Sequence, residues 1–218
     1  MYKRQPEDHA KLQRKGFLLV DSGATYMDGT TDITRTYPLG PLTEDEKRFY
    51  TWTLQSHIDL AKAVWLDYCE CKMIDTIARE PLWRHLINYR CGTGHSVSFV
   101  GNVHEGPHSL RGTNSVLMRP GMVVTDEPGV YETDLVGIRI ENELVCVHKA
   151  DNQYGTFLGF EPLMFVPIAT SPILPGVLDK DEIAWLNDYH RQVFAKLAPH
   201  LNDEERSWLA EKCAAIGC

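Results

Sequence analysis

The sequence contains no long hydrophobic run. Its longest apolar segments, such as residues 17–20 and 121–124, fall far short of the roughly 20 residues that a membrane-spanning helix needs. Residues 1–16 are polar and charged, and they lack the apolar stretch of a secretory signal. These absences argue against a membrane partner and predict a cytoplasmic location.

An excess of positive charge is also missing. The chain of 218 residues has 22 lysines and arginines against 30 aspartates and glutamates, which gives a formal net charge of −8. Because nucleic-acid affinity rests on clustered Lys and Arg, this balance argues against a nucleic-acid partner. No repeat with a period of about 20–50 residues is present, which argues against solenoids and propellers.

Cysteines are few and follow no regular spacing. The 6 thiols predict free cysteines in a reducing compartment, because a chain of this length can bury a sufficient core without disulfides. Cys69 and Cys71 form a C-x-C pair, but no second close Cys/His pair accompanies it. A structural zinc site is therefore not predicted there.

The remaining composition is that of a folded globular protein. Hydrophobic residues make up 43% of the chain and charged residues 24%, which argues against disorder. Segments 16–21 and 29–37 predict a hairpin, and segments 122–126 and 137–148 predict a second pair of strands. Between the pairs, Thr43 and Glu46 form a capping-box pattern, and apolar residues from Tyr50 to Trp65 recur at helical spacing. Further helices are predicted at 73–86, with a start or bend at Pro81, and at 181–197 and 203–215.

Two pairs of acidic residues fall on the predicted strand pairs. Asp21 ends one strand and Asp32 lies on the next. Glu127 and Glu141 have the same arrangement in the second pair. Carboxylates that face each other across neighbouring strands can bind one or two divalent cations.

Two histidines lie between the strand pairs in glycine-rich surroundings. His95 stands in Gly-Thr-Gly-His, and His104 stands in Asn-Val-His-Glu-Gly-Pro. Imidazole together with carboxylates is a ligand set for two divalent ions such as Mn²⁺, Co²⁺ or Zn²⁺, which can acidify a bridging water. The alternative is that the histidines are ordinary core or surface residues, and that the carboxylates are solvated or pair with Arg35 or Arg139.

Five segments of the sequence carry a further signal. They are 21–36 (DSGATYMDGTTDITRT), 92–95 (GTGH), 102–107 (NVHEGP), 125–129 (TDEPG) and 137–142 (GIRIEN). Together they resemble the catalytic domain of Xaa-Pro aminopeptidase (aminopeptidase P) in metallopeptidase family M24, and FEPL and WLNDYH in the tail resemble the C-terminal extension of its long form. The resemblance implies the pita-bread fold, an α+β architecture with a curved antiparallel sheet flanked by helices. Prolidase and methionine aminopeptidase, which share this fold, match less well.

The family resemblance also implies a dinuclear metal centre. Its ligands would be Asp21, Asp32, His95, Glu127 and Glu141. Asp32 and Glu141 would bridge the two divalent ions, with Mn²⁺ as the expected metal and Co²⁺ or Zn²⁺ as alternatives.

The implied reaction is hydrolysis of the N-terminal Xaa-Pro bond of proline-containing peptides by a hydroxide that both metals activate. Glu127 and His104 would be the catalytic residues, because Glu127 would relay the proton and His104 would orient the substrate or stabilise the oxyanion. His104 and Arg139 would contact the substrate. Arg139 would also hold Asp32 or Glu141 in place.

The sequence changes character near residue 150. Residues 1–149 are predicted to form a partial, N-terminally truncated catalytic domain, and residues 150–218 a C-terminal extension with helices. Met1 stands where a site histidine would precede segment 2–9, and Cys91 stands in place of another. A second hypothesis is therefore a catalytically impaired homologue, such as a gene fragment, that binds metal or a partner chain without turnover. Because a truncated domain would bare a sheet edge, the expected partner is a second copy of the chain or a missing N-terminal portion.

Overall fold

The computed structural model of the protein describes residues 11–217. The strands are β1 (Phe17–Tyr26), β2 (Gly29–Pro38), β3 (Val64–Leu66), β4 (Gly94–Ser96), β5 (Glu105–Leu110), β6 (Val123–Asp126), β7 (Gly129–Glu132), β8 (Val136–Arg139), β9 (Asn142–Asn152) and β10 (Gly155–Pro162). The helices are α1 (Glu44–Ala61), α2 (Cys71–Trp83), α3 (Lys180–Leu197) and α4 (Asp203–Lys212), with a short 3-10 helix at Ala198–His200. The expectations for Met1 and for residues 2–9 lie outside the described residues.

Every strand pair within residues 11–217 is antiparallel. One sheet has 6 strands in the order β3-β10-β9-β6-β4-β5, and β1-β2 and β7-β8 form two separate ribbons. The first predicted hairpin is confirmed, because β1 and β2 pair from Phe17 opposite Pro38 to Tyr26 opposite Gly29. Helices and antiparallel sheets together give the α+β class that the sequence predicts.

The prediction of one continuous strand at residues 137–148 is wrong, because two strands are present there. β8 pairs with β7, whereas β9 pairs with β6 and β10, so the chain changes partners between Arg139 and Asn142. At the break, the Glu141 amide donates to the Thr34 carbonyl oxygen at 3.0 Å. The β1-β2 ribbon is therefore hydrogen-bonded to the chain at this break, where Glu141 lies.

The first helix begins as predicted and ends earlier. Thr43 caps α1 with a complete capping box to Glu46. Trp65 was expected on this helix, but it lies in β3 opposite Leu158 of β10. The apolar spacing continued past the helix end because a buried strand also places apolar side chains inward.

The second helix also differs from the prediction. α2 runs without interruption from Cys71 to Trp83 and contains Pro81, so neither a start at this proline nor an extension to Leu86 is observed. Leu86 has a φ of 60°, a left-handed conformation that cannot continue a right-handed helix. The predictions for the last two helices are confirmed, with α4 ending at Lys212 rather than at 215.

Two main hydrophobic clusters hold the fold together. One lies against the large sheet and includes Ile74 of α2 and Leu144 of β9. The other joins Leu54 of α1, Ile138 of β8 and Leu186 of α3. Because α3 belongs to the C-terminal part of the chain, this second cluster ties that part to the elements around β8.

The predicted division of the chain at residue 150 falls inside β9. β10, which follows it, pairs with both β9 and β3. The division into two domains stays a prediction from the sequence. Among the helices of the described residues, none is long and apolar enough to cross a bilayer.

Candidate metal centre

The predicted ligands lie on elements that meet at the break between β8 and β9. Asp21 is on β1, and Asp32 is on β2 opposite Gly23. His95 is on β4, and Glu127 directly follows β6. Glu141 lies at the break itself and is almost fully buried, with 1% of its surface exposed.

A close approach between β4 and β6 positions His95. A Cβ atom on Gly94 would lie 1.7 Å from the Thr125 carbonyl oxygen, so only glycine fits at this position. The Thr125 hydroxyl accepts a hydrogen bond from the His95 amide at 3.0 Å and donates one to Glu127 Oε1 at 3.2 Å. One threonine side chain therefore links the histidine to the neighbouring carboxylate.

Three of the predicted ligands converge. Asp32, His95 and Glu141 each offer a ligand atom, and these atoms lie within 4.8 Å of one another. His95 Nε2 is 3.5 Å from Asp32 Oδ2 and 3.3 Å from Glu127 Oε1, so a fourth predicted ligand adjoins the group. Within residues 11–217, Asp32, His95 and Glu141 are the side chains whose ligand atoms lie close enough together to bind one metal ion.

The clustering of buried carboxylates shifts the pKa values of the side chains in the site. Burial, together with the charges of Glu127 and Asp32, raises the pKa of Glu141 from 4.5 to about 8. Burial also raises the pKa of Glu127, against the opposing charges of His95 and Arg139. Burial alone would lower the pKa of His95, but its contacts with Asp32 and Glu127 raise it. Negative charge in a dry site of this kind favours a bound cation.

Asp21 stands apart from the converging group. Its carboxylate is half exposed and lies 2.5 Å from the Arg139 guanidinium. The same guanidinium has its Nε 3.7 Å from Glu141 and 3.8 Å from Glu127. Arg139 therefore connects Asp21 to the rest of the site. The expected contact of Arg139 with Asp32 is not found among the ion pairs of the described residues, whereas that with Glu141 is present.

His104 and Cys91 lie at the rim. The His104 ring packs edge-on against His95, with 4.0 Å between ring centroids, and its side chain is exposed. Burial and the neighbouring His95 charge lower the pKa of His104. Cys91 is exposed as a residue, but its sulfur is partly buried against the Gly129 carbonyl oxygen at 3.6 Å. Burial of the sulfur, together with the charge of Glu127, raises the pKa of this thiol.

The donor set fits divalent metal ions. Carboxylate oxygens and one imidazole nitrogen converge, which is a combination suited to Mn²⁺, Co²⁺ or Zn²⁺. The sequence patterns of metallopeptidase family M24 and of its C-terminal region match residues 2–148 and 156–216, respectively. The chain belongs to metallopeptidase family M24. The pita-bread fold implied by the sequence is thereby confirmed.

Similar proteins point to one branch of this family. Aminopeptidase P1 of Lotus japonicus is 41% identical over 222 residues, which cover 99% of this chain and 34% of the relative. Aminopeptidase P2 of Arabidopsis thaliana is 43% identical over 215 residues, covering 95% of this chain and 30% of the relative. The chain thus spans about a third of the length of these M24 relatives.

Solved structures agree with the sequence comparison. The X-prolyl aminopeptidase of Caenorhabditis elegans, described as a cytosolic enzyme with a di-nuclear active site, matches with a TM-score of 0.85 and 39% identity. The match covers 91% of this chain and 33% of that protein. Prolidase from Pyrococcus furiosus matches less well, with a TM-score of 0.60 and 28% identity over 70% of this chain and 42% of that protein.

Several residues that the sequence did not single out also shape the M24 site. Thr34 is fully buried, accepts a hydrogen bond from Arg139 Nε at 2.9 Å and donates one to the Glu141 carboxylate. The Tyr131 hydroxyl accepts from Arg139 at 2.7 Å. Thr34 lies inside the matched segment 21–36, where its alternation with Asp32 would have placed both side chains on one face of β2. Tyr131 carried no such signal, because its contact depends on how the β7-β8 ribbon folds.

Proposed function

We propose that the chain carries the metal centre of an aminopeptidase that hydrolyses the N-terminal Xaa-Pro bond of peptides. The convergence of Asp32, His95 and Glu141 is the observation that carries the proposal. The names of the relatives supply the substrate class, proline-containing peptides.

The proposed centre holds two divalent cations, with Mn²⁺ as the expected metal. Asp32, His95, Glu127 and Glu141 would be ligands, and Asp21, which pairs with Arg139, would complete the set. Two cations held there would supply Lewis-acid chemistry by acidifying water and polarising a carbonyl group.

The side chains around this centre would handle the proton and the substrate. Glu127 is suited to accept a proton, because burial raises its pKa and so makes the carboxylate a stronger base. His104 has a lowered pKa, so a neutral imidazole at the rim can donate a hydrogen bond to the substrate carbonyl oxygen. Arg139, fixed by Tyr131 and Asp21, would hold the carboxylates and the substrate in place.

A second candidate function is metal binding without turnover. The observation that favours it is Cys91, a cysteine at the rim of the site that stands where the family resemblance expects a site histidine. A thiol is only a weak hydrogen-bond donor and cannot replace an imidazole in contacting a substrate. A chain of this kind would bind Mn²⁺ or a partner chain and leave peptides intact.

Peptide hydrolysis by the 218-residue chain with added Mn²⁺ separates the two candidates. The measurement follows release of the first residue from a short Xaa-Pro peptide, and His95→Ala is expected to abolish it. His148→Ala is the matched control, because His148 is an exposed histidine on β9 that pairs with Asp151 away from the metal centre. Equal rates for the unmodified chain and His95→Ala would contradict the enzyme proposal, and Mn²⁺ binding without hydrolysis would favour the second candidate.

Assembly and location belong to the same proposal. Among the described residues, β1 pairs only with β2, and several apolar side chains near its tip are exposed, including Tyr26, Met27 and Phe99. Such surface is suited to a second copy or to a further portion of the polypeptide. We expect sedimentation analysis to show a homodimer, or association with a further portion of the polypeptide when that is supplied. We expect cell fractionation to show a cytoplasmic location.

A further inference from the structure

A network of buried polar side chains lies behind the metal centre. It consists of Arg35, His57, Asp126, Asn142 and Tyr189, all of which are at most 3% exposed. Asp126 precedes Glu127, and Asn142 follows Glu141. The network therefore lies directly against the main chain that carries two of the proposed metal ligands.

His57 connects the two chain segments that bear these ligands. Its Nδ1 hydrogen-bonds the Asp126 main-chain carbonyl oxygen at 3.3 Å and lies 3.0 Å from the Asp126 carboxylate, and its Nε2 is 3.3 Å from Asn142 Nδ2. Because the amide nitrogen of Asn142 can only donate, Nε2 accepts and Nδ1 carries the proton that faces Asp126. This arrangement fixes the ring and holds the two segments at a set separation.

Arg35 holds the main chain of Glu141 itself. One of its terminal nitrogens donates to the carbonyl oxygens of Glu141 and Thr34. The other is 2.8 Å from Asn142 Oδ1 and 2.9 Å from the Tyr189 hydroxyl. A buried guanidinium with this number of partners has little freedom to move, so it fixes the position of Glu141.

The Tyr189 hydroxyl joins the C-terminal region to this arrangement. Tyr189 lies on α3, within the residues that match the M24 C-terminal region. Its oxygen accepts from Arg35 and, at 3.2 Å, from the Val166 amide, and it lies 3.2 Å from Asn142 Oδ1. A single hydroxyl from this region therefore meets both side chains that flank Glu141.

We infer that Tyr189 is a positioning residue for the metal centre, acting on Glu141 through Arg35 and Asn142. This inference rests on the proposed function, since it concerns the same metal ligands. Removing the hydroxyl takes one acceptor from Arg35, whose same nitrogen keeps Asn142 Oδ1 and the Val166 carbonyl oxygen, and it leaves the Val166 amide without its acceptor. Because an unpaired amide in this packed region is costly, the segment and the Arg35 and Asn142 side chains that it contacts would shift to recover a partner. The C-terminal region thus sets how tightly the centre binds its ions.

The test compares Tyr189→Phe with Tyr50→Phe in the 218-residue chain. Tyr50 is a matched control because it is 1% exposed, packs in the same hydrophobic cluster and donates its hydroxyl to Ala169 of the same C-terminal segment. Titration calorimetry gives the Mn²⁺ affinity, and the visible spectrum of the Co²⁺-loaded protein reports ligand geometry. Tyr189→Phe should weaken Mn²⁺ binding by about tenfold or more and change the Co²⁺ spectrum, whereas Tyr50→Phe should leave both unchanged.

The possible results separate this inference from the proposed function. If the unmodified chain binds Mn²⁺ and Tyr189→Phe binds it equally well with the same spectrum, the positioning role is overturned and the metal centre stands. Equal weakening by both variants would overturn the role as well, since it would reflect general packing. If the unmodified chain binds no Mn²⁺, the metal centre fails and the inference fails with it. Should Tyr189→Phe not fold, Arg35→Lys keeps the positive charge but removes the guanidinium that links Tyr189 to the Glu141 carbonyl oxygen, and unchanged Mn²⁺ affinity and spectrum would then overturn the inference.

Discussion

Glu141 offers a direct test of the electrostatics of the metal-free site. Its carboxyl group is buried beside Glu127 and Asp32, and these surroundings raise its pKa from 4.5 to about 8. The folded protein therefore holds a proton on Glu141 at pH values where the unfolded chain has lost it. We expect the metal-free protein to lose stability as the pH rises from about 4.5 to about 8, and Glu141→Gln to remove this loss.

The size of the effect follows from the two pKa values. Below pH 4.5 the group is protonated in both states and contributes no difference, and above pH 8 the folded state bears the full cost of an ionised buried carboxylate. A difference of about 3.5 between the pKa values corresponds to about 5 kcal/mol. Because Thr34 and Arg139 stabilise the charged form and neighbouring carboxylates share the titration, we expect ~2–5 kcal/mol. For a chain of this length, that is about 5–15 °C in melting temperature.

The assay is thermal unfolding in the presence of a chelator at about pH 5.5 and about pH 8.5. These two pH values span about 2.5 of the roughly 3.5 pH units between the two pKa values, so the melting temperature of the unmodified chain should fall about 3–10 °C further than that of Glu141→Gln. Glu132→Gln is the control, since Glu132 is an exposed carboxylate at the end of β7 and should follow the unmodified chain. The same fall in melting temperature for Glu141→Gln and the unmodified chain would refute the reasoning.

Three further predictions concern the framework around the site. Gly94→Ala places a methyl group against the Thr125 carbonyl oxygen, so the free energy of unfolding, measured by denaturant titration, should fall by about 3 kcal/mol. An unchanged value would contradict the close approach of β4 to β6. Thr43→Ala removes the capping box of α1 and should cost about 1 kcal/mol by the same measurement, whereas Thr43→Ser should cost less. Arg79→Met removes the guanidinium that lies 2.8 Å from the buried Asp75 carboxylate, and it should destabilise the protein by about 3–5 kcal/mol at neutral pH. A loss below about 1 kcal/mol would argue that this ion pair contributes little to stability.

Several elements of this fold could be predicted from the sequence, because the signals for turns, strand alternation and helix caps are local. Alternation and turn residues predicted the β1-β2 hairpin, and the pattern of Thr43 and Glu46 predicted the start of α1. Element boundaries were less certain, since Trp65 continued a helical spacing although it lies on β3. A strand and a helix can both bury an apolar residue at one position, so periodicity alone does not separate them.

The sequence by itself determined the metallopeptidase family and the candidate ligands, because motif order and residue chemistry are written along the chain. Only the tertiary structure decided that Asp21 pairs with Arg139 and that Arg35 holds the main chain of Glu141. It also decided that Tyr189 of α3 meets Asn142 beside that ligand. Such contacts join residues far apart in sequence, and whether a buried polar group finds its partner depends on how whole elements pack. Short-range sequence patterns do not specify how whole elements pack, so they could not predict these contacts.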